Sequence, residues 1–266
     1  LQVKLALRDR ARDVTARNRK VHDKVHLTVS NPRGSKTRLA AWRQALPLLD
    51  DSQRRLNRRT WVALLGYTAC VFLVCLGDAR TLTGHESILV EISREMVQTG
   101  NWLVPRLGGQ PFLEKPPLPH WIVACLIAVL GEPTEWLVRL PSVLVGMLGV
   151  ALTASLAARW LGPTLGLLAG LMQATTIYTL TYARLAESDV YLWVIVLAAL
   201  WVFAREHVEP RTPWPHGLGR LAFLTLVGLS NLVKGPLFGA VLIIAPCVVY
   251  LLLERRWREL RWFLHV

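Results

Sequence analysis

The sequence predicts an all-α, polytopic helical membrane protein with a long first outer loop that contains interfacial helices. Three observations carry this. Hydrophobic residues make up 53% of the 266 and mean hydropathy is +0.36, too apolar for an ordinary soluble domain of this size. The apolar residues gather into runs at 61–77, 118–130, 136–158, 163–183, 189–204, 219–234 and 236–253, all but one close to the length of a membrane helix. Positive charge sits before the first run: residues 1–59 hold 16 Lys/Arg against 5 Asp/Glu, which is +11 of a total of +13.

Taken in order, the basic arm 1–59 reads as a cytoplasmic flank drawn to anionic membrane lipids, the usual fate of Lys/Arg beside a first span. Nucleic acid is the disfavoured partner when a membrane segment follows directly. The first apolar run is too long for a signal-peptide core, and the chain, starting at Leu1, is expected to be incomplete at its amino end. After the span at 61–77, Thr83-Gly84-His85-Glu86 has the form of a capping box and opens a helix through Val97. Leu118–Leu130 follows Pro116-Pro117 and has 13 residues. At 1.5 Å per residue it covers about 20 Å, short of a hydrocarbon core of about 30 Å. It is expected to lie in the interface.

Charge tests that reading, because each later loop changes sides if 118–130 crosses. With six spans and 118–130 lying flat, the basic loops at 159–163, 205–220 and 254–261 share the arm's side. The outer segments are then 78–135, with 4 Lys/Arg against 7 Asp/Glu, the turn at 184–189, and the turn at Lys234-Gly235-Pro236. The positive-inside rule selects this arrangement. Cys70, Cys75, Cys125 and Cys247 lie in apolar runs without CxxC spacing and read as small buried hydrophobes.

Glu86, Lys115, Asp189 and Lys234 thereby reach one face, and ionisable groups gathered at one membrane face point to a site. Each has a bland reading as well. Glu86 would complete the capping box. Lys115 could snorkel. Lys234 would complement a helix C-terminus and Asp189 a helix N-terminus. Glu91 and Glu95 flank Arg94 at helical spacing and read as surface pairs. Arg139, near the outer end of a span, needs an acidic partner from the loop or a headgroup. His120, Trp121 and Trp102 read as interfacial anchors. No Gly-rich nucleotide loop is present, which disfavours a nucleotide-sugar donor.

The run Glu91-Ile-Ser-Arg-Glu-Met96, Gly100-Asn-Trp102, Pro105, Gly109, Glu114-Lys-Pro-Pro117 and Trp121 resembles the first outer loop of the GT-C glycosyltransferases that use polyprenyl-phosphate sugars. The lipid A aminoarabinose transferases and protein O-mannosyltransferases are the relatives it is most similar to. Arg139-Leu-Pro141, Ala183-Arg184 with Asp189, and Lys234-Gly235 look like later landmarks. The resemblance implies a transferase acting on the non-cytoplasmic face of a bacterial inner membrane, with a polyprenyl-phosphate sugar donor and a lipid or protein acceptor. It makes Lys115, Lys234 and Arg139 substrate-binding candidates and Asp189 the second-loop acid. Glu114 becomes an acceptor-site or metal ligand, with a divalent metal left open as cofactor.

Two departures stand out. Relatives carry Asp-Glu where this chain has His85-Glu86, so Glu86 or His85 takes the base's role, or Asp78 reaches in, or activity is lost. Relatives also continue through more spans, so the chain is expected to be the amino-terminal part of a larger enzyme. A transporter or flippase and an inactive membrane scaffold are the rival readings. Coupled transport usually needs a charge site at the membrane midplane, and the spans here are nearly free of ionisable groups.

Overall fold

The computed structural model describes residues 55–77, 81–208 and 217–260. Most of the basic arm, Asp78, and the loop positions 209–216 and 261–266 lie outside the described residues. Nine α-helices and one two-stranded hairpin follow one another along the described chain. They are α1 (Arg58–Leu73), α2 (Gly84–Thr99), β1 (Arg106–Leu107), β2 (Gln110–Pro111), α3 (Leu118–Leu130), α4 (Glu135–Leu161), α5 (Pro163–Thr175), α6 (Ile177–Tyr182), α7 (Ser188–Phe203), α8 (Leu218–Lys234) and α9 (Phe238–Leu253). A π-helical turn, Ala204–Val208, continues α7, and a 3-10 turn, Trp257–Leu260, follows α9.

The helix starts follow the local sequence. Asn57 caps α1 by accepting from the Thr60 N–H at 2.8 Å, and Thr134 caps α4. Gly100 closes α2 in the left-handed region at φ 69. At 27 residues α4 is the longest helix, about 40 Å at 1.5 Å per residue. It and the continuous helix Ser188–Val208 are long and apolar enough to cross a bilayer. α3 has the 13 residues expected of it.

Packing runs through small side chains. Gly166 of α5 lies so close to α4 that an added Cβ would come within 2.4 Å of the Ala158 Cβ, and at Gly170 it would meet Leu64 and Ala154. This is a small-xxx-small contact of the kind that brings membrane helices together. α4 also packs on α1 and α7, and α7 on α8 and α9. Leu144, Leu148, Leu165, Leu168, Met172, Val241, Leu242 and Val249 remain exposed on the outside of the bundle, an apolar surface suited to hydrocarbon.

Of the four cysteines expected to be buried, Cys70, Cys75 and Cys125 are exposed on the outside of the bundle and Cys247 is buried; two departures concern the path of the chain. The run 163–183 is not one helix but breaks at Thr176 (φ −60, ψ 130). The hydroxyls of Thr175 and Thr176 turn back to the carbonyls of Leu171 and Met172, at 2.9 and 2.7 Å, the local bonding that bends helices. The segment between α2 and α3 also contains the hairpin β1–β2, turned by Gly108-Gly109 with φ +59 and +78, the conformation a two-residue hairpin loop needs. Glu95 accepts from the Gly109 N–H at 3.1 Å, so it holds the hairpin and is not a simple surface partner. Arg94 does pair with Glu91, and with Glu132 as well.

Candidate functional site at the ends of the bundle helices

The start of α2 supplies the anchor. Thr83 and Glu86 form the reciprocal capping box. Glu86, with no exposed surface, does more than cap. One carboxylate oxygen accepts from Arg139 Nε at 2.8 Å and from the Ala186 N–H at 3.0 Å. The other accepts from Arg139 Nη2 at 3.0 Å and from the Thr83 N–H at 2.9 Å. Arg139 also donates to the Leu76 carbonyl at 3.0 Å. Burial alone would raise the Glu86 carboxyl, but the guanidinium and the two backbone N–H groups outweigh it and hold the group below the usual carboxylate value. Glu86 thus ties α2, α4 and the turn 184–189 into one piece.

That turn carries the rest of the site. Ala186, Glu187 and Ser188 line a cavity of about 20 Å³ with His85, Ile88, Leu89, Lys115, Pro119 and His120. Asp189, in the first turn of α7, accepts from Lys234 Nζ at 2.6 Å, both side chains being partly exposed. Lys234 is the last residue of α8, which Gly235 closes. The four residues expected on one face therefore gather around a single turn: Glu86 through Ala186, Lys115 through the shared cavity, and Asp189 and Lys234 through their ion pair. Glu114, beside Lys115, points to solvent. Among the described residues no group of three or more His, Cys, Asp or Glu is arranged to hold a metal ion.

Cations divide into paired and unpaired. Arg139 and Lys234 each have a carboxylate, whereas Lys115 makes no hydrogen bond or ion pair among the described residues. His85 is exposed at the start of α2 on the same cavity. The sequence reading missed His120. It is not an exposed anchor but 2% exposed in the first turn of α3, its ring beside the Leu89 backbone carbonyl. Burial depresses its pKa to about 4. The Leu89 carbonyl opposes that shift and the Lys115 charge adds to it. The signal was present as a polar residue inside an otherwise apolar 13-residue helix. Trp121 does anchor the loop, its indole N–H donating to the Trp102 carbonyl at 2.6 Å.

Apolar helices joined by small-residue contacts, with a charged site gathered where their ends meet the segment 81–117, define a polytopic helical membrane protein of the GT-C type. Residues 114–265 match the dolichyl-phosphate-mannose-protein mannosyltransferase family, and the chain belongs to it. It is 33% identical over 212 residues to the undecaprenyl phosphate-alpha-4-amino-4-deoxy-L-arabinose arabinosyl transferase of Pseudomonas paraeruginosa, covering 77% of this chain and 37% of that protein. Its identity to a transferase of the same description from Sodalis glossinidius is 29%, covering 74% and 36%. The crystal structure of ArnT from Cupriavidus metallidurans bound to undecaprenyl phosphate superposes with a TM-score of 0.64 at 26% identity, over 77% of this chain and 38% of that one. Its apo state gives the same TM-score at 29% identity. The chain thus spans well under half the length of the curated relatives it matches.

Proposed function

We propose that this chain carries the donor-side catalytic loop of a glycosyltransferase that moves a sugar from a polyprenyl phosphate to a lipid or protein acceptor. The transfer takes place on the non-cytoplasmic face of a bacterial inner membrane. The observation that carries the reading is the unpaired Lys115 ammonium. It lies on a cavity between the helix α3 and the turn 184–189. The relatives' names give the donor as an undecaprenyl-linked 4-amino-4-deoxy-L-arabinose, and a donor of this class is proposed here.

In the transfer, an acceptor hydroxyl oxygen bonds to the anomeric carbon as the bond from that carbon to the phosphate oxygen breaks. The phosphate leaves with the electron pair, and Lys115 stabilises its charge. The acceptor's proton needs a base. All four donors around Glu86 are already engaged with its two oxygens, so the proton passes to His85, which is exposed on the same cavity. Arg139 and Glu86 are positioning residues for that helix start. Asp189 and Lys234 set the far wall, Lys234 reaching the phosphate if it exchanges Asp189 for it. Glu114 faces the acceptor side.

The test is transfer from an undecaprenyl-phosphate sugar by the full chain in lipid nanodiscs. Lys115→Ala should lower transfer by 10-fold or more, the loss of about 1.5–3 kcal/mol of charge-assisted hydrogen bonding. Unchanged transfer by a folded Lys115→Ala protein would remove the basis of the reading.

A further inference from the structure

We infer that a second cavity, set between the chain leaving α1, the start of α4 and the short helix α6, binds the phosphate headgroup of an anionic phospholipid from the surrounding leaflet, with the Arg184 guanidinium as its main contact. The inference goes beyond the transfer reading and does not rest on it.

The chain leaving α1 presents three consecutive carbonyls, those of Val74, Cys75 and Leu76, and two guanidiniums satisfy them. Arg184 Nη2 donates to the first two at 2.7 and 3.2 Å. Arg139 Nη1 donates to the third at 3.0 Å. The two arginines are thereby brought to one place, yet only one of them has a carboxylate. Glu86 neutralises Arg139. Arg184 is half-buried, and among the described residues its side chain makes no ion pair and no hydrogen bond beyond the two carbonyls. A guanidinium has five N–H donors, so those on Nε and Nη1 are left for a ligand.

Both arginines line a cavity of about 300 Å³, within the range of sites that hold small molecules. The rest of its wall is of two kinds. Leu76, Leu180 and Leu185 offer hydrocarbon, Thr83 and Thr181 offer hydroxyls, and no acidic side chain among the described residues lines it. One uncompensated guanidinium over half-apolar walls suits an anion that carries its own hydrocarbon, as a phospholipid headgroup does, and a guanidinium matches phosphate oxygens in geometry as well as in charge. A soluble anion would leave the leucine faces unused, and a cation would be repelled. The cavity is distinct from the one beside Lys115, with which it shares no lining residue. Glu86 bonds to Thr83 and Arg139 of the larger cavity and to Ala186 of the smaller one, so the buried carboxylate stands between them.

The test titrates the full chain in uncharged micelles with phosphatidylglycerol or phosphatidylcholine and counts retained lipid by native mass spectrometry. The buffer is about 0.5 M ammonium acetate, which screens the attraction of the basic arm for anionic lipid far more than it screens a partly buried contact. Wild type should retain phosphatidylglycerol about 10-fold more tightly than phosphatidylcholine. Arg184→Gln keeps a donor for the carbonyls and removes the charge, and it should lose most of that preference. Arg184→Lys should keep part of it. Thr181→Glu sets a carboxylate at an exposed position of the same wall and should abolish the preference without touching the carbonyl bonds, which keeps the test decisive if Arg184→Gln does not fold. Inorganic phosphate in excess should fail to displace the lipid; displacement, with phosphate alone bound as tightly, would make this a site for a soluble anion and overturn the lipid assignment. Equal retention of the two lipids by wild type, or an undiminished preference in both Arg184→Gln and Thr181→Glu, would overturn the inference outright. Neither result touches the Lys115 reading, which is tested by transfer on a different cavity.

Discussion

Glu86→Gln separates a base from a keystone. If Glu86 only capped α2, glutamine would serve nearly as well, because it also completes a capping box. The structure predicts otherwise. The carboxylate takes two donors on each oxygen, from Arg139 twice, Ala186 and Thr83. A carboxamide has one acceptor oxygen, so in either orientation two of the four N–H groups face an NH₂. Each buried donor left unsatisfied costs about 1–3 kcal/mol, and breaking a buried ion pair by neutralising one partner costs about 3–5 kcal/mol. These two estimates describe the same loss from two sides, so the expected destabilisation is about 3–5 kcal/mol. Removing the cap alone with Thr83→Ala should cost only about 1 kcal/mol. Denaturant unfolding of the full chain in mixed micelles measures both. Glu86→Gln with Arg139→Met should cost less than the sum of the two single changes, because neither charge is then left alone. The sign with pH follows from the lowered carboxyl. Its stabilisation is complete above the ordinary carboxylate value and fades as pH falls through the lowered one. A Glu86→Gln protein within about 1 kcal/mol of wild type that has lost transfer by about 10²-fold would refute the keystone argument and return the base's role to Glu86.

The pKa of His120, about 4 against an ordinary 6.5, means the unfolded chain takes a proton between those values that the native protein refuses. Stability should therefore fall by about 3 kcal/mol as pH drops from 6.5 to 4, and His120→Phe should flatten that part of the profile. With α3 lying in the interface, a cysteine at Glu132 should label from the non-cytoplasmic side and one at Trp160 from the cytoplasmic side; labelling at Glu132 only from the cytoplasmic side would mean that 118–130 crosses and the parity is wrong. Gly166→Ala should destabilise the α4–α5 contact by about 1–3 kcal/mol, because its Cβ meets the Ala158 Cβ at 2.4 Å and the Ala158 Cα at 2.7 Å. Ala158→Gly should restore only part of that loss, and full tolerance of Gly166→Ala would show the helices free to separate.

Helix placement was legible because apolar run length and capping chemistry are local properties. Leu118–Leu130 came out at its expected bounds, and the Thr83–Glu86 box formed as written. The break at Thr176 was not visible to hydropathy, since the residues on both sides are apolar and the bend comes from two hydroxyls. The hairpin at Gly108-Gly109 was missed because its strands are two residues each. At the site, the sequence pointed to the charged residues but not to their partners. Glu86 and Arg139 lie 53 positions apart, and Lys234 and Asp189 lie 45 apart. Nothing local says which cation is neutralised and which stays free, and that distinction puts Lys115 ahead of Lys234. His120 was misplaced for a related reason: an aromatic with a polar edge beside tryptophan reads as an interface anchor, and only packing shows that Ser93, Phe112 and Leu89 enclose it.

The turn 184–189 explains why these residues form a site at all. Thr176 breaks the helix that would otherwise run straight through from Pro163, and the short α6 then delivers Arg184 to the end of α1, where it donates to the carbonyls of Val74 and Cys75 at 2.7 and 3.2 Å. Two residues further on, the Ala186 N–H reaches Glu86. Glu187 and Ser188 then face Lys115 and His120, and Asp189 meets Lys234 as α7 begins. One turn thus ties α2 to α1, α4 and α8 using the Arg184 side chain, one backbone N–H and one ion pair. The Lys115 ammonium is left without a carboxylate partner, and in a membrane protein that leaves it available to a ligand that brings its own negative charge.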